Sequence, residues 1–151
     1  MSPEEKIQQL GYELKLIQVG NAPLIPWVQT GNLLFLSGRT PGYLGKTWTG
    51  QLGKEYTVEE GYEAARDIAV GQLAVAKTAL GELSRIKRVV KVLGMVNCVA
   101  DFSDQPKVVN GFSELLVEVF GEAGRHARSA VGMAGLPGNA PVEIEVIFEV
   151  E

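Results

Sequence analysis

The chain has 151 residues, enough for one ordinary domain and too few for two with separate cores. Hydrophobic residues make up 46% and charged residues 21%, a balance that lets a chain of this length bury roughly 70% of its extended-state surface and excludes disorder. The net charge of -4 repels a phosphate backbone, so a nucleic-acid partner is not expected. Cys98 is the only cysteine, which excludes an internal disulfide and a thiolate metal cluster and fits a reducing compartment.

The opening MSPEEKIQQL carries acids where a signal peptide needs a basic segment, and no later stretch approaches the roughly 18 apolar residues of a membrane span. A cytoplasmic protein without membrane contact is the expectation. Ser2, Pro3 and Glu5 form a helix-opening pattern, because a Ser cap, a Pro at the first helical position and a Glu three residues after the cap satisfy or avoid the free amides. Ile7 and Leu10 supply its apolar stripe. Two prolines bar residues 22 to 27 from a helix, and Val28 to Thr30 with Leu33 to Ser37 flank Gly31-Asn32 as a two-residue hairpin. Residues 41 to 56 hold four glycines with Tyr43 and Trp48 and no sustained period, which predicts a mobile loop with short strand fragments.

Thr57 and Glu60 make a capping box, and Ala65, Ile68, Ala69, Leu73, Ala76 and Leu80 recur at helical spacing until Gly81. Gly61 and Gly71 inside this helix each cost about 1 kcal/mol relative to Ala, which suggests close backbone packing. From Val89 to Ala100 the chain is apolar on both alternating faces, with Val90, Val92, Val96 and Cys98 on one and Val89, Leu93, Met95 and Val99 on the other. Such a strand is covered on both sides. A second long helix is predicted over 104–120, with Val109, Phe112, Leu116, Val119 and Phe120 inward, followed by strands over 128–134 and 142–150. The order of elements implies an α+β fold: a mixed sheet with two long helices on one face. The N-terminal helix reads as an extension over 1–20 of a single domain covering 1–151.

The chemistry-bearing residues are few. His126 is the only histidine, so a zinc site with several His ligands cannot form, and its place in a Gly- and Arg-rich turn reads as a surface histidine. No Walker loop or dinucleotide fingerprint occurs, and Cys98 reads as a buried, inert thiol. Arg128 opens an otherwise apolar strand, and its planar fork can grip both oxygens of a carboxylate; a structural ion pair with a glutamate of the last strand is the equal alternative.

The run ARSAVGMAGLPGNAPVEIEVIF resembles the C-terminal signature of the YjgF/RidA family: an Arg-Ser pair, a short apolar strand, Leu-Pro, and an (Ile/Val)-Glu-(Ile/Val)-Glu strand. Pro26-Trp27-Val28-Gln29, Ser37-Gly38 and Asn110 support it upstream. EEGYEAAR and GRHARSAVG are similar to the subgroup called chorismate-mutase-like for its fold. The resemblance implies a homotrimer of chorismate-mutase-like fold, three sheets forming a barrel with ligand clefts between subunits. It also implies hydrolysis of reactive 2-imino or enamino acids to 2-keto acids and ammonia, without a cofactor or metal.

In that family pattern Arg128 binds the substrate carboxylate and Glu143 orients or deprotonates the attacking water. Trp27, Ser37 and Asn110 line the cleft, and the amide of Ala130 lies against the substrate. Two positions depart from the pattern: Trp27 stands for the usual tyrosine and Ala130 for a common cysteine. They favour, as the alternative, a non-enzymatic sensor or carrier of small carboxylates. A ribonuclease, a label also used in the family, is disfavoured by the negative charge. If the last two strands pair as a hairpin about residues 134 to 142, Arg128 falls opposite Phe148 and some 17 Å from Glu143 at strand rise. The two would then meet only across a subunit boundary.

Overall fold

The computed structural model describes residues 1–151. In chain order it contains α1 (Pro3–Gln9), β1 (Trp27–Thr30), β2 (Leu33–Leu36), α2 (Val58–Leu80), β3 (Ile86–Asn97), α3 (Gln105–Phe120), β4 (Ala127–Met133) and β5 (Val142–Val150). Local signals place the helix ends. Ser2 with Glu5 and Thr57 with Glu60 both close capping boxes, and Gly81 ends α2 at φ 83, a left-handed backbone that a side chain would strain. Ile7 is buried while Leu10, outside the helix, is 40% exposed, so the stripe expected on α1 reduces to one residue.

The five strands form one sheet in the order β1-β2-β5-β3-β4. The β1–β2 hairpin turns at Gly31-Asn32 as expected, with Thr30 opposite Leu33. The expected β4–β5 hairpin does not form. β4 pairs parallel with β3, Arg128 opposite Val92, while β5 runs antiparallel between β3 and β2. A parallel return needs a crossover, which α3 supplies, and the 134–141 link then steps across the end of β3. Asn97 anchors that step: it is buried, and its amide donates to Asn139 Oδ1 and Ala140 O at 3.0 Å each while accepting from Gln51.

α2 and α3 cover one face, where Val92, Val96, Ile144, Val146 and Phe148 join Ile68, Leu73, Phe112 and Leu116 in a continuous core. Close approach is permitted by glycine at two crossings. A Cβ at Gly111 would overlap the Tyr62 carbonyl, and one at Gly94 would lie 2.6 Å from Val109 Cγ2. The strict two-face alternation expected for β3 is broken by a register shift between Val89 and Lys91. Val89 and Val92 therefore both reach the helix side and are buried. The opposite face, bearing Phe35, Lys91, Leu93, Ser129, Glu145 and Ile147 around a hollow of about 440 Å³, has no helix on it.

The 41–56 segment is held rather than loose. The buried Asp67 of α2 accepts from the amides of Gly42 and Tyr43 at 2.8 and 3.0 Å and of Leu44 at 3.0 Å. Leu52 is fully buried and bridges to Cys98 and Tyr56. These contacts tie to the core a glycine-rich stretch whose irregular pattern predicted mobility.

Candidate active site

Arg128 lies on β4, the edge strand. Its opposition to the buried Val92 turns it toward α3. Nη1 donates to Asn110 Oδ1 at 2.8 Å and to Ser113 Oγ at 3.1 Å, and Nη2 makes only a long contact of 3.5 Å with the Pro106 carbonyl. Nη1 is thus tethered, while along the Nε–Nη2 edge Nε makes no hydrogen bond and Nη2 only the long one, which leaves donors for a planar anion. Burial lowers the Arg128 pKa from its ordinary value, and the group remains a cation at neutral pH. The alternative of an intrachain ion pair is absent: no carboxylate lies within ion-pair distance of Arg128.

His126 extends this cluster. Its Nδ1 lies 2.6 Å from the Gly124 carbonyl and its Nε2 lies 2.9 Å from Ser113 Oγ. The carbonyl can only accept, so Nδ1 carries the proton, Nε2 accepts from the Ser113 hydroxyl, and that hydroxyl oxygen accepts from Arg128. The reading of His126 as a plain surface residue is corrected: it is half-buried with both ring nitrogens bonded. Burial first and the nearby Arg128 charge second lower its pKa, against the Gly124 bond, which raises it. Ser113 was not anticipated, although it follows Asn110 by three on α3 and therefore shares its face.

Ala130 sits on the same side of β4, two residues beyond Arg128 and opposite Gly94. The remaining expected residues lie elsewhere. Trp27 is on β1, at the other edge of the sheet, and packs partly buried against the core. Ser37 follows β2 and donates its hydroxyl to Ile25 O at 2.7 Å. Glu143 stands opposite Met95 at the start of β5, against Gly38, where a Cβ would collide with its carboxylate. The result is two half-sites: Arg128, Asn110 and Ala130 at the β4 edge, and Ser37, Gly38, Trp27 and Glu143 toward the β1 edge.

Within one chain these halves cannot converge. Arg128 on β4 and Glu143 on β5 are separated by two strand spacings, about 10 Å, and Arg128 faces the helices while Glu143 faces the uncovered side. The sequence-based conclusion that Arg128 and Glu143 do not meet intramolecularly therefore holds, for a different reason from the hairpin register that suggested it. No group of three His, Cys, Asp or Glu side chains is placed to hold a metal ion, and no helix is long and apolar enough to cross a membrane.

The fold and its split site define a protein class that comparison with known proteins makes explicit. The chain belongs to the family described as "YjgF/chorismate_mutase-like, putative endoribonuclease", whose model matches residues 4–149. It is 43% identical over 145 residues to Protein TCP17 of Trypanosoma cruzi, covering 95% of this chain and 91% of that protein. The crystal structure of Atu1372 from Agrobacterium tumefaciens, a protein of unknown function, is 44% identical with a TM-score of 0.91, covering 99% and 93% of the two chains. RidA from the Antarctic bacterium Psychrobacter sp. PAMC 21119 is 26% identical with a TM-score of 0.59, covering 91% and 94%.

Proposed function

We propose that this protein hydrolyses reactive 2-imino or enamino acids to 2-keto acids and ammonia, in clefts between the subunits of a homotrimer. The observation that carries the reading is the tethered guanidinium of Arg128, open along one edge on an edge strand and lacking any carboxylate partner of its own. A substrate carboxylate would seat on that edge with two parallel hydrogen bonds. Glu143 of a neighbouring subunit would complete the site, which accounts for the separation of the two half-sites in each chain.

The chemistry needs little more. The imine carbon is electrophilic once its nitrogen is protonated, so binding the carboxylate fixes that carbon and leaves one water to be aimed. Glu143 would take a proton from the water as its oxygen attacks, giving a tetrahedral amino alcohol. Return of that proton to nitrogen, then cleavage of the C–N bond as the hydroxyl proton passes to Glu143, would release ammonia and leave the keto acid. No electron transfer enters the balance. Ser37 and Asn110 would line the walls, Asn110 chiefly by holding Arg128, and the amide of Ala130 would lie against the substrate.

The test is direct. 2-Iminobutanoate generated from threonine by a dehydratase should yield 2-oxobutanoate faster in the presence of this protein. Arg128→Ala should remove at least 100-fold of the acceleration, since it deletes a bidentate charged contact of about 3 kcal/mol or more. No acceleration by the unaltered protein would refute the enzymatic reading. A second reading, a carrier or sensor of small carboxylates, is favoured by Trp27 and Ala130, which put no hydroxyl or thiol where the family pattern has one. It predicts retention of 2-oxobutanoate by Arg128 with no turnover.

A further inference from the structure

A second guanidinium has no ion pair. Arg39 follows Gly38 and is held by reciprocal backbone bonds to Ile144, of 3.1 and 3.0 Å. Its side chain runs against α2 at Gly71, where a Cβ would come within 2.5 Å of Nε, so the glycine makes room for it. Nε is buried with no hydrogen-bond partner. Asp67, the acid whose charge it feels, lies outside ion-pair distance and is occupied by the amides of residues 42 to 44. The Tyr43 ring stacks beneath the group, 5.6 Å from Cζ to the ring centroid.

Leaving the buried Nε of a half-buried arginine without an acceptor is costly. Beside it opens a hollow of about 270 Å³ that Arg39 lines together with Ser37, Gln72, Leu24, Pro26 and Val75. Arg39 is the one ionisable residue of its lining, and Leu24, Pro26 and Val75 give it an apolar wall. Gln72 is buried, and its amide bridges the Ser37 and Ile144 carbonyls at 2.9 and 3.0 Å, which fixes the polar floor.

We propose that Arg39 forms a second binding site for a small aliphatic monocarboxylate, on a cation other than Arg128 and sharing Ser37 and Gly38 with the proposed cleft. The carboxylate accepts from the guanidinium, and the hydrocarbon tail lies along Leu24, Pro26 and Val75. The cavity suits an acid of about four to six carbons, and the apolar wall selects it over inorganic anions. Because the two sites share Ser37 but differ in their cation, Arg128→Ala separates binding at Arg39 from the reaction assigned to Arg128.

The experiment is calorimetric titration of butanoate into the full-length protein. Arg128→Ala should still bind one butanoate per chain, and adding Arg39→Gln to that variant should weaken the remaining binding at least tenfold. Affinity should rise about fourfold for each methylene from acetate to butanoate. Leu24→Asp, at a position 67% exposed, places an acid at the rim without touching Arg39 and should weaken binding similarly, so the result does not rest on the folding of one variant. The proposal is overturned if Arg128→Ala abolishes all butanoate binding, if neither Arg39→Gln nor Leu24→Asp weakens it, or if phosphate binds more tightly than butanoate.

Discussion

Ser113 stands between two groups with opposite needs: its oxygen accepts from Arg128 and its proton goes to His126. Protonating His126 would remove the acceptor and set a second cation beside the guanidinium. Because burial and Arg128 lower the His126 pKa below the ordinary 6.5, the unfolded chain takes up the proton before the native one does. Stability should therefore fall as pH drops through about 6.5 and level off once the native His126 has also titrated. Glu4 and Glu60, whose pKa values are lowered from 4.5, lose their contributions only at lower pH. Urea unfolding at pH 7.5 and 5.5 should show this slope in the unaltered protein, and His126→Gln should flatten it. A pH-independent native stability would contradict a lowered His126 pKa.

At the scale of elements, the helices and the β1–β2 hairpin were legible because their determinants are local. Capping boxes at Ser2 and Thr57, the glycine stop at Gly81 and the Gly31-Asn32 turn each act within a few residues. The 41–56 loop was misjudged because its anchor lies outside it: Asp67, on the following helix, accepts three amides 23 to 25 residues away. Asp67→Ala should destabilise the protein by about 2–3 kcal/mol, since three part-buried amides lose a charged acceptor. Limited proteolysis should then cut first within 41–56. Cleavage no faster than in the unaltered protein would mean that the Leu52 contacts alone hold the loop.

Across the whole molecule, the helix-free face of the sheet is where exposed hydrophobic residues sit on strands with no element packed over them. Val28 is 52% exposed, Phe35 38% and Val131 40%; Val28 and Phe35 are directly paired and Ile147 flanks Phe35. A patch of this kind on a sheet face needs a cover, and the proposed trimer would supply one with three copies of the same face. Sedimentation should then report three chains per particle at micromolar concentration. Phe35→Glu should shift the population to monomer and abolish keto-acid release, because each proposed cleft draws on two subunits. A monomeric, fully active Phe35→Glu variant would remove the intersubunit site.

The residues by themselves determined the class of fold, the helix limits and the candidate carboxylate grip at Arg128, because propensity, capping and the guanidinium's chemistry travel with the residue. The strand order was decided only in three dimensions. Whether β4 turns back on β5 or crosses to the far side of β3 depends on Asn97 meeting Asn139 and Ala140, a contact between segments some 40 residues apart that leaves no periodic trace. The same holds for Arg39, whose solitude follows from where Gly71 and Asp67 lie. Pattern reports which face a side chain takes on its own element; packing between elements determines what that face meets.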